Sequence, residues 1–147
     1  MEVTSLKDFF MKKTLEEVNQ QLKNLEYIIS FIGVEVKEIK EGKVIIEFPY
    51  KEELTRRGGI LHGGIIMTSM DLAGGLAVGS MNEGNEQFTQ ELKVNFLEPM
   101  QKGPFKVEAK VVRKGRNSVV VLIEFKDAEE RIGAIGIGTW YIFKERK

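Results

Sequence analysis

Gly58-Gly59-Ile60-Leu61-His62-Gly63-Gly64-Ile65-Ile66-Met67-Thr68-Ser69-Met70-Asp71-Leu72-Ala73-Gly74-Gly75-Leu76-Ala77-Val78-Gly79-Ser80-Met81-Asn82 is the stretch on which the fold of this chain turns. Its residues are apolar or small except for two ionisable side chains, Asp71 and His62, the latter the chain's single histidine. Apolar residues from Ile60 to Met81 fall on every face of a helix, so the spacing predicts a helix buried nearly all round. An unpaired carboxylate in such surroundings is strongly disfavoured or takes up a proton. Asp71, set among Ile65, Ile66, Met70, Leu72 and Leu76, is therefore the first candidate for chemistry. The plainer alternative is a carboxylate that caps or bridges at a subunit interface.

On the N-terminal side, Leu6, Phe9, Phe10, Leu15, Val18, Leu22, Leu25 and Ile29 recur at three- and four-residue spacing. They predict an amphipathic helix over about 5–31, continuous or broken near Lys12 to Thr14. It packs on the domain or on a partner subunit and is assigned no chemistry. Val34, Val36 and Ile39 then face Val44, Ile45, Ile46 and Phe48 across Glu41-Gly42, a hairpin signal. Residues 51–59 form a polar connection.

On the C-terminal side, Glu86 to Leu97 alternates, with Phe88, Leu92, Val94 and Phe96 expected on one face and Gln87, Thr89, Glu91, Lys93 and Asn95 on the other. Pro99 closes this strand, and further strands follow over Phe105 to Val112, Ser118 to Phe125 and Ile132 to Phe143. Short connections imply a mainly antiparallel sheet, and one curved sheet wrapped round the apolar helix accommodates the order. The expected class is α+β, a single domain over 1–147 with its core at about 33–143. One sheet cannot cover a helix that is apolar on all sides, so at least a dimer is expected.

The chain has 147 residues, 42% of them hydrophobic and 30% charged, with 22 basic residues balancing 22 acidic ones. That profile suits a globular protein and gives no global field for nucleic acid or a membrane surface. With no cysteine and one histidine, disulfides, thiolate chemistry and a typical zinc centre are excluded, and no metal is expected. Met1-Glu2-Val3-Thr4-Ser5-Leu6 lacks a basic start and an apolar leader core, so a cytoplasmic protein is expected. Gly136-Ile137-Gly138 sits in a strand-like run without the rest of a dinucleotide fingerprint, and reads as a bend or close contact. Neither a Walker sequence nor a Gly-x-Ser-x-Gly elbow is present.

The first N–H groups of a helix have no internal partner, and the helix dipole makes that end attractive to developing negative charge. Gly63 and Gly64 would leave those groups uncovered, and the Gly63 N–H could hold a carbonyl oxygen as it becomes an oxyanion. Asp71 lies nine residues beyond His62. That is about 13 Å along a helix axis, too far to serve one substrate atom within one chain. Two antiparallel copies of the helix across a dimer would bring Asp71 of one near His62 and Gly63 of the other.

Gly59-Ile60-Leu61-His62-Gly63-Gly64, Asp71-Leu72-Ala73 and Asn95-Phe96-Leu97-Glu98-Pro99 together resemble the hotdog-fold acyl-CoA thioesterases of the phenylacetate-pathway (PaaI-like) type, over about residues 30 to 143. The resemblance implies Asp71 as general base on water or as nucleophile, Gly63 as oxyanion donor, with Gly64 beside it, and Thr89 orienting the water or the carboxylate. It implies that His62 positions the thioester or holds the loop. Arg56 stands where some relatives carry an asparagine toward the thioester; it could donate to the carbonyl or bind a phosphate. The turn Arg113-Lys114-Gly115-Arg116-Asn117-Ser118 lies where the family contacts the nucleotide and phosphates of coenzyme A, with Phe96 as the corresponding position on the neighbouring strand. Read from its residues alone, a basic hairpin tip of this kind is more simply a solvated loop that discourages edge pairing.

Acyl-CoA is then the implied substrate, coenzyme A being part of it and no separate cofactor being needed. The implied assembly is a homo-oligomer, a dimer or preferably a tetramer built as a dimer of dimers, with no nucleic-acid or membrane partner. Two other functions fit the same residues: a non-catalytic acyl-CoA-binding sensor, and a hotdog dehydratase acting on 3-hydroxyacyl thioesters.

Overall fold

A computed structural model describes residues 5–146; Met1 to Thr4, part of the N-terminal stretch read for a leader, lie outside the described residues. The chain runs α1 (Leu6–Met11), α2 (Leu15–Leu25), α3 (Tyr27–Ile32), β1 (Glu35–Lys40), β2 (Lys43–Phe48), a single 3-10 turn, β3 (Thr55–Arg56), β4 (Ile60–Leu61), α4 (Gly63–Gly79), β5 (Glu86–Phe96), β6 (Phe105–Lys114), β7 (Ser118–Lys126) and β8 (Ile132–Phe143).

The N-terminal helix is broken, and its caps explain where. Thr14 and Glu17 form a reciprocal capping box that starts α2 afresh after Lys12, and extended Glu26 separates α2 from α3. Gly33 closes α3 in the left-handed conformation at φ 84°, and Gly42 turns the β1–β2 hairpin at φ 81°.

Six strands form one antiparallel sheet in the order β1-β2-β6-β7-β8-β5, and α4 lies across its concave side. Val44, Ile46, Phe105, Val107, Val121, Ile123, Phe125 and Ala134 project onto α4 and are buried. The helix comes close because β8 presents Gly136 and Gly138 on that face. A side chain at Gly136 would press on Met70, and one at Gly138 would strike the Trp140 ring. That is the close contact the sequence suggests there.

Helix α4 starts three residues later than the apolar pattern predicts. Ile60 and Leu61 pair instead with Thr55 and Arg56 across left-handed Gly58 and Gly59. Burial is also less than all-round. The sheet side of α4 is buried, whereas Met67, Thr68, Asp71, Leu72 and Gly75 are only half-buried and Gly64 is exposed. The uncovered stripe is where a second copy is expected. Among the described residues no helix is long and apolar enough to cross a membrane.

The β7–β8 turn is held by Asp127, which is buried and accepts from the N–H groups of Glu129 and Arg131 at 2.9 Å each and from Arg131 Nε at 3.1 Å. Burial pushes its pKa up, but the hydrogen bonds from Arg131 and Glu129 and the Arg131 charge outweigh it and hold the carboxyl below the ordinary carboxylate range. A carboxylate depressed in the folded state contributes stability above its unfolded pKa of about 3.9 and loses it as pH falls through the folded value. Asp127→Asn is therefore expected to lower the melting temperature at pH 7 but not below the folded pKa, a convergence that melts from pH 7 to pH 2 would show.

Candidate active site

Asp71 sits midway along the uncovered stripe of α4, and its Oδ1 accepts from the Thr89 hydroxyl at 2.6 Å. The bond depends on a β-bulge. Pairing of β5 with β8 shifts between Thr89 and Glu91, and Gln90 is the extra residue. Strict alternation would place Phe88 with Leu92 and Thr89 on the polar face; the bulge reverses this. Gln87 and Thr89 share the helix-facing side with Leu92 and Val94, and Phe88 turns outward at 51% exposure. There it packs against Tyr141 and Phe143.

The start of α4 has a complementary arrangement. His62 is its N-cap, and the His62 Nδ1 accepts from the Gly64 N–H at 3.0 Å, while the Ile65 and Ile66 N–H groups bond the His62 carbonyl. With Nδ1 accepting, the neutral ring carries its proton on Nε2. The Gly63 N–H is left without an acceptor among the described residues. A side chain on Gly63 would meet the Phe96 ring at 3.6 Å, so Phe96 walls this corner.

Two cavities separate the groups. The first, about 440 Å³, holds Asp71 and Thr89 and is lined chiefly by apolar side chains, among them Leu22, Ile29, Leu76 and Trp140. The second, about 460 Å³, brings together Arg56, Gly63, Phe96 and Pro99. His62 lines neither; it faces Glu53 and Thr68 on another side of the helix start, where Gly64 also lies. The exposed Arg56 donates to the Arg57 carbonyl at 3.2 Å.

The basic tip is at the Asp71 end of the sheet. Thr89 is level with Trp140 on β8, Val119 on β7 and Lys114 on β6. Three strand spacings of about 4.8 Å each place the tip roughly 14 Å from Thr89. Arg113, Lys114, Arg116 and Asn117 are exposed, Gly115 and Ser118 are half-buried, and Gly115 closes the turn through its N–H to the Ser118 carbonyl at 2.7 Å. Phe96 is not on the strand beside this tip: β8 intervenes, and Phe96 pairs with Ala134 at the opposite end of the sheet. Within one chain, therefore, Phe96 belongs with Gly63 and the basic turn with Asp71.

The sequence reading missed Trp140 and the N-terminal helices. The Trp140 ring fits against Gly74 and lines the Asp71 cavity, and α1 to α3 supply Phe9, Leu22 and Ile29 to the same wall. The pairing of a lone tryptophan with a Gly74-Gly75 step is a signal that could have suggested the first. The second depends on tertiary packing.

An antiparallel sheet curved round one long helix is the hotdog fold. The family model described as thioesterase superfamily matches residues 58–134, and the chain belongs to that superfamily. A candidate esterase of Saccharolobus solfataricus is 50% identical, with 92% of this chain and 97% of the relative covered. A 1,4-dihydroxy-2-naphthoyl-CoA hydrolase of Listeria monocytogenes is 26% identical over 79% of this chain and 95% of its own length. Among solved structures, a thioesterase of Haemophilus influenzae superposes with a TM-score of 0.82 at 25% identity, covering 90% of this chain and 92% of that one. The PaaI protein of Escherichia coli shares the fold, with a TM-score of 0.77 at 18% identity over 88% and 96% of the two chains.

Proposed function

We propose that this protein hydrolyses acyl-CoA thioesters to a carboxylic acid and free CoA, at a site completed by two subunits. The observation that carries the reading is the Thr89–Asp71 hydrogen bond at an apolar cavity, with the unpaired Gly63 N–H on the same helix. Asp71 lies eight residues beyond Gly63. That is about 12 Å along the axis, so the two halves need a second copy.

Strand β5 supplies the means. It is an edge strand of eleven residues, and its free side is a template for another strand. A two-fold axis through Lys93 would pair β5 antiparallel with itself and, with Gln90 as the extra residue, set Thr89 opposite Phe96 of the partner subunit. Asp71 then faces the partner's Gly63, and the uncovered stripes of the two α4 helices cover each other. A homodimer is thus the smallest active unit.

In this arrangement Thr89 engages Oδ1 and leaves Oδ2 of Asp71 to take a proton from water. The water oxygen bonds to the thioester carbon, and the carbonyl electron pair moves onto the oxygen held by the Gly63 N–H. Collapse breaks the C–S bond, and the proton passes from Asp71 to the departing sulfur. His62 orients the helix start. Arg56 and the cations Arg113, Lys114 and Arg116, none ion-paired among the described residues, serve the CoA phosphates, with Asn117, Gly115 and Ser118 shaping the tip. The Listeria relative named as a CoA hydrolase supports this substrate class.

The test is thiol release from acetyl-, hexanoyl-, benzoyl- and phenylacetyl-CoA. One thiol per carboxylic acid formed is expected. Calorimetric binding without thiol release would replace the enzyme with an acyl-CoA sensor, and water loss from a 3-hydroxyacyl-CoA would indicate a dehydratase.

A further inference from the structure

The region matched by the superfamily model starts at residue 58, so helices α1 to α3 lie outside it. They nevertheless roof the cavity that holds Asp71 and Thr89. Phe9 from α1, Leu22 and Leu25 from α2 and Ile29 from α3 face Leu76 and Trp140 of the core across a space of about 440 Å³. Pockets of this size and lining hold small apolar molecules. The shared region carries the carboxylate and the helix N–H, and the preceding segment supplies half of the wall beside the carboxylate.

The roof is fixed in place at three points. The Leu6 and Lys7 N–H groups bond the Gly84 and Asn82 carbonyls at 2.9 Å each. Phe10 fills a notch at Gly79, where any side chain would strike its ring. On α2, the Asn19 amide clips to β1 through both backbone groups of Val36, accepting its N–H at 2.7 Å and donating to its carbonyl at 3.0 Å. The clip sits where β1 bulges between Val36 and Glu38. A wall so anchored has a defined shape, and shape is what discriminates acyl groups.

We propose that helices α1 to α3 form the acyl-group wall of the site and select a bulky apolar acyl chain, medium-length aliphatic or aryl, over acetyl. The proposal rests on the acyl-CoA reading above. A long apolar acyl group fills the space between Leu22 and Trp140, whereas acetyl reaches little of it.

The test compares kcat/KM for acetyl-, hexanoyl- and phenylacetyl-CoA in wild type, Leu22→Ala and Leu25→Asp. Leu25 is 69% exposed, so its replacement leaves the core intact. Wild type is expected to prefer the larger acyl groups by at least about 10-fold, and each variant to reduce the hexanoyl-to-acetyl ratio by about 5-fold or more. Equal losses on every substrate, or a wild-type preference for acetyl-CoA, would overturn the wall. Binding of non-hydrolysable thioether analogues, measured by calorimetry, reads the same ratios without turnover. If no acyl-CoA is cleaved, the hydrolase reading fails alone while the analogue ratios still decide the wall; unchanged ratios beside intact, Asp71-dependent hydrolysis overturn the wall alone.

Discussion

Asp71→Asn is expected to lower kcat for acyl-CoA hydrolysis by about 100- to 10,000-fold, the range for loss of a positioned general base. Melting temperature and substrate binding should barely change. Asparagine keeps an Oδ1 that accepts the Thr89 hydroxyl, now at 2.6 Å from the carboxylate, so the local bond survives and only the proton acceptor is lost. The side chain is half-buried on the uncovered stripe of α4, where an amide is readily accommodated. Stopped-flow thiol detection beside a thermal melt separates the two effects. A variant with wild-type kcat would remove Asp71 from the chemistry.

Gly63→Pro is expected to lower kcat by about 100- to 1,000-fold with the fold intact, as for removal of one oxyanion donor. Proline at the first position of a helix is well tolerated, because the N–H it lacks has no partner inside the helix. His62, at φ −65° and ψ 133°, already has the extended conformation that a residue before proline requires. A Cβ at position 63 would touch the Phe96 ring at 3.6 Å, an ordinary contact. Gly63→Ala keeps the N–H and should fall far less, so the difference between the two variants isolates the backbone donor from the added carbon. If alanine and proline were equally harmful, Gly63 would act through packing.

Much of this was legible in local pattern. The β1–β2 hairpin follows from β-rich runs on either side of Glu41-Gly42, and α4 from an apolar stretch in which Asp71 has no nearby charge partner. The β5 bulge was not legible, because Phe88, Gln90 and Leu92 keep the same parity in sequence while one extra residue exchanges their faces in the sheet. Thr89 thus reaches Asp71 from the side that alternation assigns to solvent. The late start of α4 was hidden for a similar reason: Ile60 and Leu61 suit a helix as well as the short strand they form, and pairing with Thr55 and Arg56 decides between them. The wall built by α1 to α3 depends on contacts such as Phe10 on Gly79, some seventy residues apart in the chain. The family resemblance sets Phe96 on a strand neighbouring the basic turn. Here β5 crosses to the far edge of the sheet, beyond β8.

The shared site is tested most directly by mixing the two inactive variants. Asp71→Asn and Gly63→Pro chains are unfolded together, refolded at equal ratio and assayed for thiol release. In a hybrid dimer, one of the two sites combines Asp71 from the second chain with Gly63 from the first and is intact. Random pairing then restores about one quarter of wild-type activity. If Asp71 and Gly63 of the same chain formed each site, the mixture would show only the residual activity of its two inactive components, and the two-subunit site would be wrong.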